Sequence, residues 1–142
     1  MDETEARILA VDLGDVRVGV ALSDPMGWTA QPLSTIAAKA EGGPVRAVGA
    51  LVREHDVATV VVGLPLHLSG EEGERARLSR AFAARLANEV PDVEIVLWDE
   101  RLTSHEAERL MVDGGVGRKR RRGRVDEVAA ALILQSYLDA RS

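Results

Sequence analysis

Cysteine is absent from this 142-residue chain, and that removes disulfides, thiolate zinc sites and cysteine nucleophiles together. Aromatic residues make up only 3%, which leaves little ring surface on which a planar ligand could stack. No apolar run approaches the roughly 20 residues that a membrane-spanning helix needs. The first residues, Met1-Asp-Glu-Thr-Glu5, lack the basic and apolar layout of a signal peptide, so the expected location is cytoplasmic, with no membrane partner. With the length of one ordinary domain, 46% hydrophobic residues and 29% charged ones, residues 1–142 read as a single globular unit with one sizeable core. Any chemistry must therefore use oxygen or nitrogen groups.

Charge is distributed unevenly. The net value is −5, yet six of the 18 Lys and Arg residues fall in one run: Arg118, Lys119, Arg120, Arg121, Arg122 and Arg124. Outside it twelve basic residues face 23 acidic ones, so the body stands at −11. A concentrated basic segment on an acidic body attracts polyanions locally, whatever the total charge. The competing reading is a solvated loop that serves solubility.

The most informative stretch is Ile8-Leu-Ala-Val-Asp-Leu-Gly-Asp-Val-Arg-Val-Gly-Val-Ala-Leu-Ser-Asp24. It reads as a β-hairpin, Ile8 to Leu13 and Arg17 to Ser23, with the carboxylate of Asp12 inside an apolar strand. A lone buried carboxylate costs several kcal/mol or takes up a proton unless a cation or donors compensate it. Pro32 to Ala37 suggests a third strand. Gly42-Gly43-Pro44 then breaks the chain and opens a helix with Val45, Val48, Leu51 and Val52 on one face. Thr59 to Gly63, continuously apolar and β-branched, suggests a strand covered on both faces and parallel to its neighbours. A helix over Arg75 to Glu89, carrying Leu78, Phe82, Ala83, Leu86 and Ala87, follows, then a strand over Val93 to Trp98. A capping box at Thr103-Ser-His-Glu106 predicts a further helix through Met111, ended by Gly114, Gly115 and Gly117. Val125 to Leu138 reads as a last helix that starts at Asp126, with Val128, Leu132 and Gln135 along it. Five strands and these helices predict an α/β domain with a mixed five-stranded sheet flanked by helices, antiparallel at its start and parallel thereafter. That is the layout of the ribonuclease H-like fold, in which the first strand is central and the loops at the carboxyl ends of the parallel strands share a crevice.

Asp12, the pair Asp99-Glu100 and Asp126 are the carboxylates expected at that crevice. Alternation along a strand sends Asp99 and Glu100 to opposite faces, which favours one of them, Glu100, as a ligand and leaves Asp99 as the alternative. Oxygen ligands with open positions suit Mg²⁺ or Mn²⁺. Two such ions about 3.5–4 Å apart activate a water on one side of a phosphodiester and stabilise the leaving oxygen on the other. Structural roles compete at each position. Asp12 could accept backbone N–H groups around the Gly14 turn, Asp126 could favour a helix dipole, and Asp99-Glu100-Arg101 could be an ion pair. Arg17 could hold a phosphate or pair with Asp15 or Asp24. His67 and His105 stand in reserve as proton donors.

Four segments together resemble a known family. They are Asp12-Leu-Gly-Asp-Val-Arg17-Val-Gly-Val-Ala-Leu-Ser-Asp24, Val62-Gly-Leu-Pro-Leu-His-Leu-Ser-Gly70-Glu-Glu-Gly73, Asp99-Glu-Arg-Leu-Thr103 and Asp126-Glu-Val-Ala-Ala-Ala-Leu-Ile-Leu-Gln-Ser-Tyr-Leu138. In order and spanning nearly the whole chain, they are similar to the motifs of the YqgF/RuvX family, relatives of the RuvC resolvases described as pre-16S ribosomal RNA nucleases and Holliday junction resolvases. The resemblance implies a ribonuclease H-like fold, dependence on Mg²⁺ or Mn²⁺, acidic site residues at Asp12, Glu100 and Asp126, and cytoplasmic work in maturing the 5′ end of pre-16S rRNA. Arg17 and the run Arg118 to Arg124 would grip phosphates of RNA (pre-rRNA) or of branched DNA, while Gly63 to Gly73 would flank the cleft. Scarce aromatics predict recognition of the backbone with weak sequence preference. Other expectations are a Holliday junction resolvase-like DNase, a non-catalytic nucleic-acid-binding factor in ribosome assembly or transcription, and an actin-like phosphotransferase, which one short domain argues against. Monomer and homodimer both remain open.

Overall fold

The computed structural model describes residues 6–102 and 118–141, with the backbone alone at 102 and 118–124. Strands β1 (Arg7–Leu13), β2 (Arg17–Ser23) and β3 (Ala30–Ala37) form an antiparallel meander. Helix α1 (Gly43–Glu54) leads to β4 (Val57–Leu64), α2 (Glu74–Glu89) to β5 (Glu94–Asp99), and a one-turn 3-10 helix, Glu100–Leu102, follows directly. The last helix, α3, runs from Arg118 to Arg141. The sheet order is β3-β2-β1-β4-β5, with β4 parallel to both β1 and β5. This mixed α/β sheet, with β1 at its centre, is the one expected from the sequence.

Period-two alternation divides each strand between two cores. Leu9 and Val11 of β1, Val18 and Val20 of β2, and Val60 and Val62 of β4 face α1 and α2, packing with Val48, Val52, Phe82 and Leu86. Ile8 and Ala10 of β1, Ala21 of β2 and Val61 of β4 face α3, against Ala130, Ile133, Leu134 and Leu138. Coverage on both faces explains why β4 reads as continuously apolar. Asp12 has the parity of Ile8 and Ala10, so its side chain belongs to the α3 face.

Small residues on that face bring α3 close. A Cβ on Gly19 would overlap the backbone carbonyl of Asp126 and lie 2.9 Å from the Glu127 amide nitrogen. Farther along, Trp98 Nε1 donates to Ser136 Oγ at 3.2 Å, and the Trp98 and Tyr137 rings meet edge to face at 5.4 Å. Gln135 clasps the β2–β3 loop, accepting from the Ala30 amide at 3.0 Å and donating to the Trp28 carbonyl at 3.2 Å. Polar clasps of this kind fix the rotation of α3 about its axis, which apolar packing alone leaves loose.

Three expectations need correction. The basic run does not precede the last helix: the backbone of Arg118 to Arg124 is already helical, so Asp126 lies about two turns inside α3 and away from the dipole-bearing first turn. The charged stretch carries no apolar periodicity, which hid the extra turns. Leu78 is 51% exposed, because α2 buries Ala76, Ser79, Phe82, Ala83 and Leu86; Ala87 is exposed too. β3 begins two residues before Pro32, at Ala30. The expected helix from Thr103 to Met111, its capping box, His105 and Gly114 to Gly117 lie outside the described residues.

Candidate active site

Asp12 stands next to the last residue of β1, paired across the ladder with Gly19. On the other side of β1, Gly63 is the penultimate residue of β4. A Cβ there would lie 2.9 Å from Glu100 Cγ and 2.9 Å from Ile133 Cδ1. Two glycines on the strands flanking β1 thus clear the space into which Asp126 and Glu100 are delivered. Gly19 admits the backbone of α3, and Gly63 admits the side chain of Glu100.

The carboxyl groups of Asp12 and Glu100 share a hydrogen bond, in which Glu100 is the donor. Burial, then the charge of Asp12, then that hydrogen bond push Glu100 up to about 8, while Arg75 draws it back. Asp12 is raised as well, first by burial and then by the charge of Asp126; the hydrogen bond from Glu100 and the charge of Arg75 oppose this. Two acids placed side by side with reduced access to water raise each other's proton affinity. The Gly14 amide bonds to the Arg17 carbonyl at 2.9 Å; the carboxylate of Asp12 is directed to Glu100 instead.

Asp99 plays another part. Arg101 grips it through Nε at 3.1 and 3.0 Å and Nη2 at 2.7 Å, adding its backbone amide at 2.9 Å. These bonds lower the proton affinity of Asp99, and Arg101 Nη1 also reaches the Leu68 carbonyl at 3.4 Å. The expected ion pair within Asp99-Glu100-Arg101 is made between Asp99 and Arg101. By clamping Asp99, the last residue of β5, it sets where the chain turns and hence where Glu100 emerges.

Asp126 is close enough for its charge to act on Asp12, and its Oδ2 accepts from Arg17 Nε at 2.9 Å. The ion pair expected of Arg17 is therefore made with Asp126, not with Asp15 or Asp24. Asp15 is held by Arg75 at 2.6 Å, and Asp24 accepts from the backbone amides of Met26, Trp28 and Thr29. Among the described residues, no three acidic, histidine or cysteine side chains already form a metal-binding group. The loop from Gly63 to Gly73 folds on itself through a bridge between Leu66 and Glu72 and a 3.0 Å bond from the His67 amide to the Glu71 carbonyl. The side chains of Arg118, Lys119, Arg120, Arg121, Arg122 and Arg124 lie outside the described residues. Sequence reasoning missed Arg75, in the first turn of α2, whose charge acts on both Asp12 and Glu100. Its nearest signal was its position just after the glycine-rich loop.

A central strand bearing a carboxylate, a second acid just beyond a parallel edge strand and a third on the helix covering that face define a protein of the ribonuclease H-like class. Solved structures with this fold include Thermus thermophilus RuvC bound to a Holliday junction, with a TM-score of 0.61 at 17% identity over 96% of this chain and 95% of that one. Fowlpox virus resolvase with its junction DNA gives 0.58 at 11% identity, covering 95% and 98%. The family model described as RuvX, Holliday junction resolvase, matches residues 6–140, and the chain belongs to that family. Relatives carrying the name "Putative pre-16S rRNA nuclease" include one from Pelotomaculum thermopropionicum, 50% identical over 95% of this chain and 88% of its own length. Another, from Lactococcus lactis, is 48% identical over 96% of both.

Proposed function

We propose that this protein is a divalent-metal-dependent nuclease that hydrolyses phosphodiester bonds in RNA and acts in maturing the 5′ end of pre-16S rRNA. The half-buried, adjoining carboxyl groups of Asp12 and Glu100 carry this reading, and the name shared by its relatives supports the substrate. The donor set is all oxygen, which fits Mg²⁺ or Mn²⁺ better than softer thiolate-seeking metals. Asp12 and Glu100 would hold the ion, and Asp126 would join them on leaving Arg17. When bound, such ions neutralise phosphate charge and lower the pKa of the attacking water.

The residues of the chain supply the rest. Asp12, fixed in the ladder of the central strand, sets the point at which phosphorus must lie. Arg101, by holding Asp99, keeps Glu100 over Gly63. Hydroxide from water adds to phosphorus, the bond from phosphorus to the leaving oxygen breaks, and that oxygen takes up a proton. The basic start of α3 lies upstream of Asp126 on the same helix and would bring phosphates toward the site, in a manner weakened by salt.

The description of the family model and the RuvC-like fold favour a four-way DNA junction as the second candidate substrate. The decisive comparison is wild-type protein against Asp12→Asn on 5′-extended 16S precursor RNA and on a DNA junction, each with Mg²⁺ or Mn²⁺. Cleavage of the precursor by the wild type alone is expected. Equal cleavage by both proteins would identify a contaminant and end the proposal.

A further inference from the structure

Arg75 divides its two terminal nitrogens between a main-chain carbonyl and a carboxylate. Its Nη2 donates to the main-chain carbonyl of Leu13, one residue beyond Asp12, at 3.1 Å, and its Nη1 donates to Asp15 Oδ1 at 2.6 Å. By contrast, Arg80 spends two nitrogens on the carboxylate of Glu72, and Arg101 spends two on Asp99. Arg75 thus has one fixed tether and one partner that can be exchanged. The side chain of Asp15 is 76% exposed and that of Arg75 49%, so their ion pair lies in water and is worth at most about 1 kcal/mol.

We infer that Arg75 is a substrate-binding residue: it keeps its bond to Leu13 and exchanges Asp15 for a phosphate of the nucleic acid lying over the Asp12–Glu100 pair. The inference rests on the nucleic-acid reading above and adds a residue and a mechanism to it. A phosphate nearing two acids needs a cation on its solvent side, and Arg75 supplies one whose direction is set by a strand carbonyl. A guanidinium suits this task because its rigid fork serves two acceptors at once. In the free protein Asp15 fills the phosphate position and acts as a competing anion. The other role open to Arg75 is a strut that pins the start of α2 to the β1–β2 turn.

The test measures binding of a labelled stem-loop RNA by fluorescence anisotropy in EDTA, across a salt series, for wild type, Arg75→Gln, Asp15→Asn and the double variant. Arg75→Gln is expected to lower the slope of log K against log salt by about 0.7 to 0.9, the loss of one phosphate contact. Asp15→Asn is expected to tighten binding several-fold in the wild-type background and to have no effect beside Arg75→Gln. An unchanged slope in a folded Arg75→Gln protein, or equal tightening by Asp15→Asn in both backgrounds, would establish the strut and overturn the inference. Should Arg75→Gln fail to fold, Asp15→Asn is compared with Glu74→Gln, which removes an exposed acid next to Arg75 in the chain: tightening well beyond that of Glu74→Gln supports the exchange, and equal tightening overturns it. If the wild type binds no RNA at any salt, the nucleic-acid reading falls first and takes this one with it.

Discussion

Gly19 and Asp126 meet backbone to backbone: the carbonyl of Asp126 occupies the place a Cβ on Gly19 would take. Because Gly19 is the ladder partner of Asp12, this contact is what sets an acid on α3 beside an acid on the central strand.

Gly19→Ala should be among the most damaging single-methyl changes in the protein. The obstructing atoms are main chain, so relief requires α3 to move as a body, and overpacking of this kind costs ~1–3 kcal/mol. A thermal melt should show the loss, and cleavage should fall further than the loss of folded protein explains.

Gly63→Ala offers a contrast, since its neighbours at 2.9 Å are the side-chain atoms of Glu100 and Ile133. Those atoms can swing aside, so stability should fall by less than for Gly19→Ala. Cleavage should suffer in proportion to the displacement of Glu100. A melting temperature unchanged from wild type together with full activity would show that Glu100 need not lie over Gly63.

Stability without metal should depend on pH through Glu100. Its folded-state value of about 8 exceeds the ordinary 4.5, so the folded state binds the extra proton between those limits. The contribution of Glu100 is then fully present below about pH 4.5 and is lost progressively as pH rises toward 8, by on the order of a few kcal/mol. Melts in EDTA should show this decline, and Glu100→Gln should flatten it. Adding Mn²⁺ at pH 8 should raise the melting temperature in a concentration-dependent way.

The two neighbouring acids should separate functionally. Glu100→Gln is expected to abolish cleavage. Asp99→Asn, which keeps the carboxyl group of Glu100 but loosens the Arg101 clamp that positions it, should cost about 10–100-fold, the usual penalty for losing a group that orients a ligand. Identical losses in both variants would assign Asp99 a direct role.

Arg17→Gln should change stability by less than ~1 kcal/mol, since the side chain of Arg17 is 54% exposed and its ion pair with Asp126 is screened. The same change should strengthen Mn²⁺ binding measured calorimetrically, because it releases Asp126. Weaker Mn²⁺ binding would mean that Arg17 orients Asp126 rather than detaining it.

The sequence by itself determined the order of the five strands and of the three described helices, the central place of β1 and the three stretches holding Asp12, Glu100 and Asp126. Apolar periodicity and turn residues are local signals, and each of these features is written within about ten consecutive positions. Only the tertiary structure decided that Asp126 lies within α3, that Arg17 pairs with Asp126, that Arg101 takes Asp99 and that Arg75 reaches the turn beside Asp12. Partners 60 and 109 residues apart are chosen by how closely a helix approaches a sheet, and that distance depends on which side chains are missing at Gly19 and Gly63. Charged surface residues carry no periodic pattern, so their pairings become visible only once the backbone has placed them.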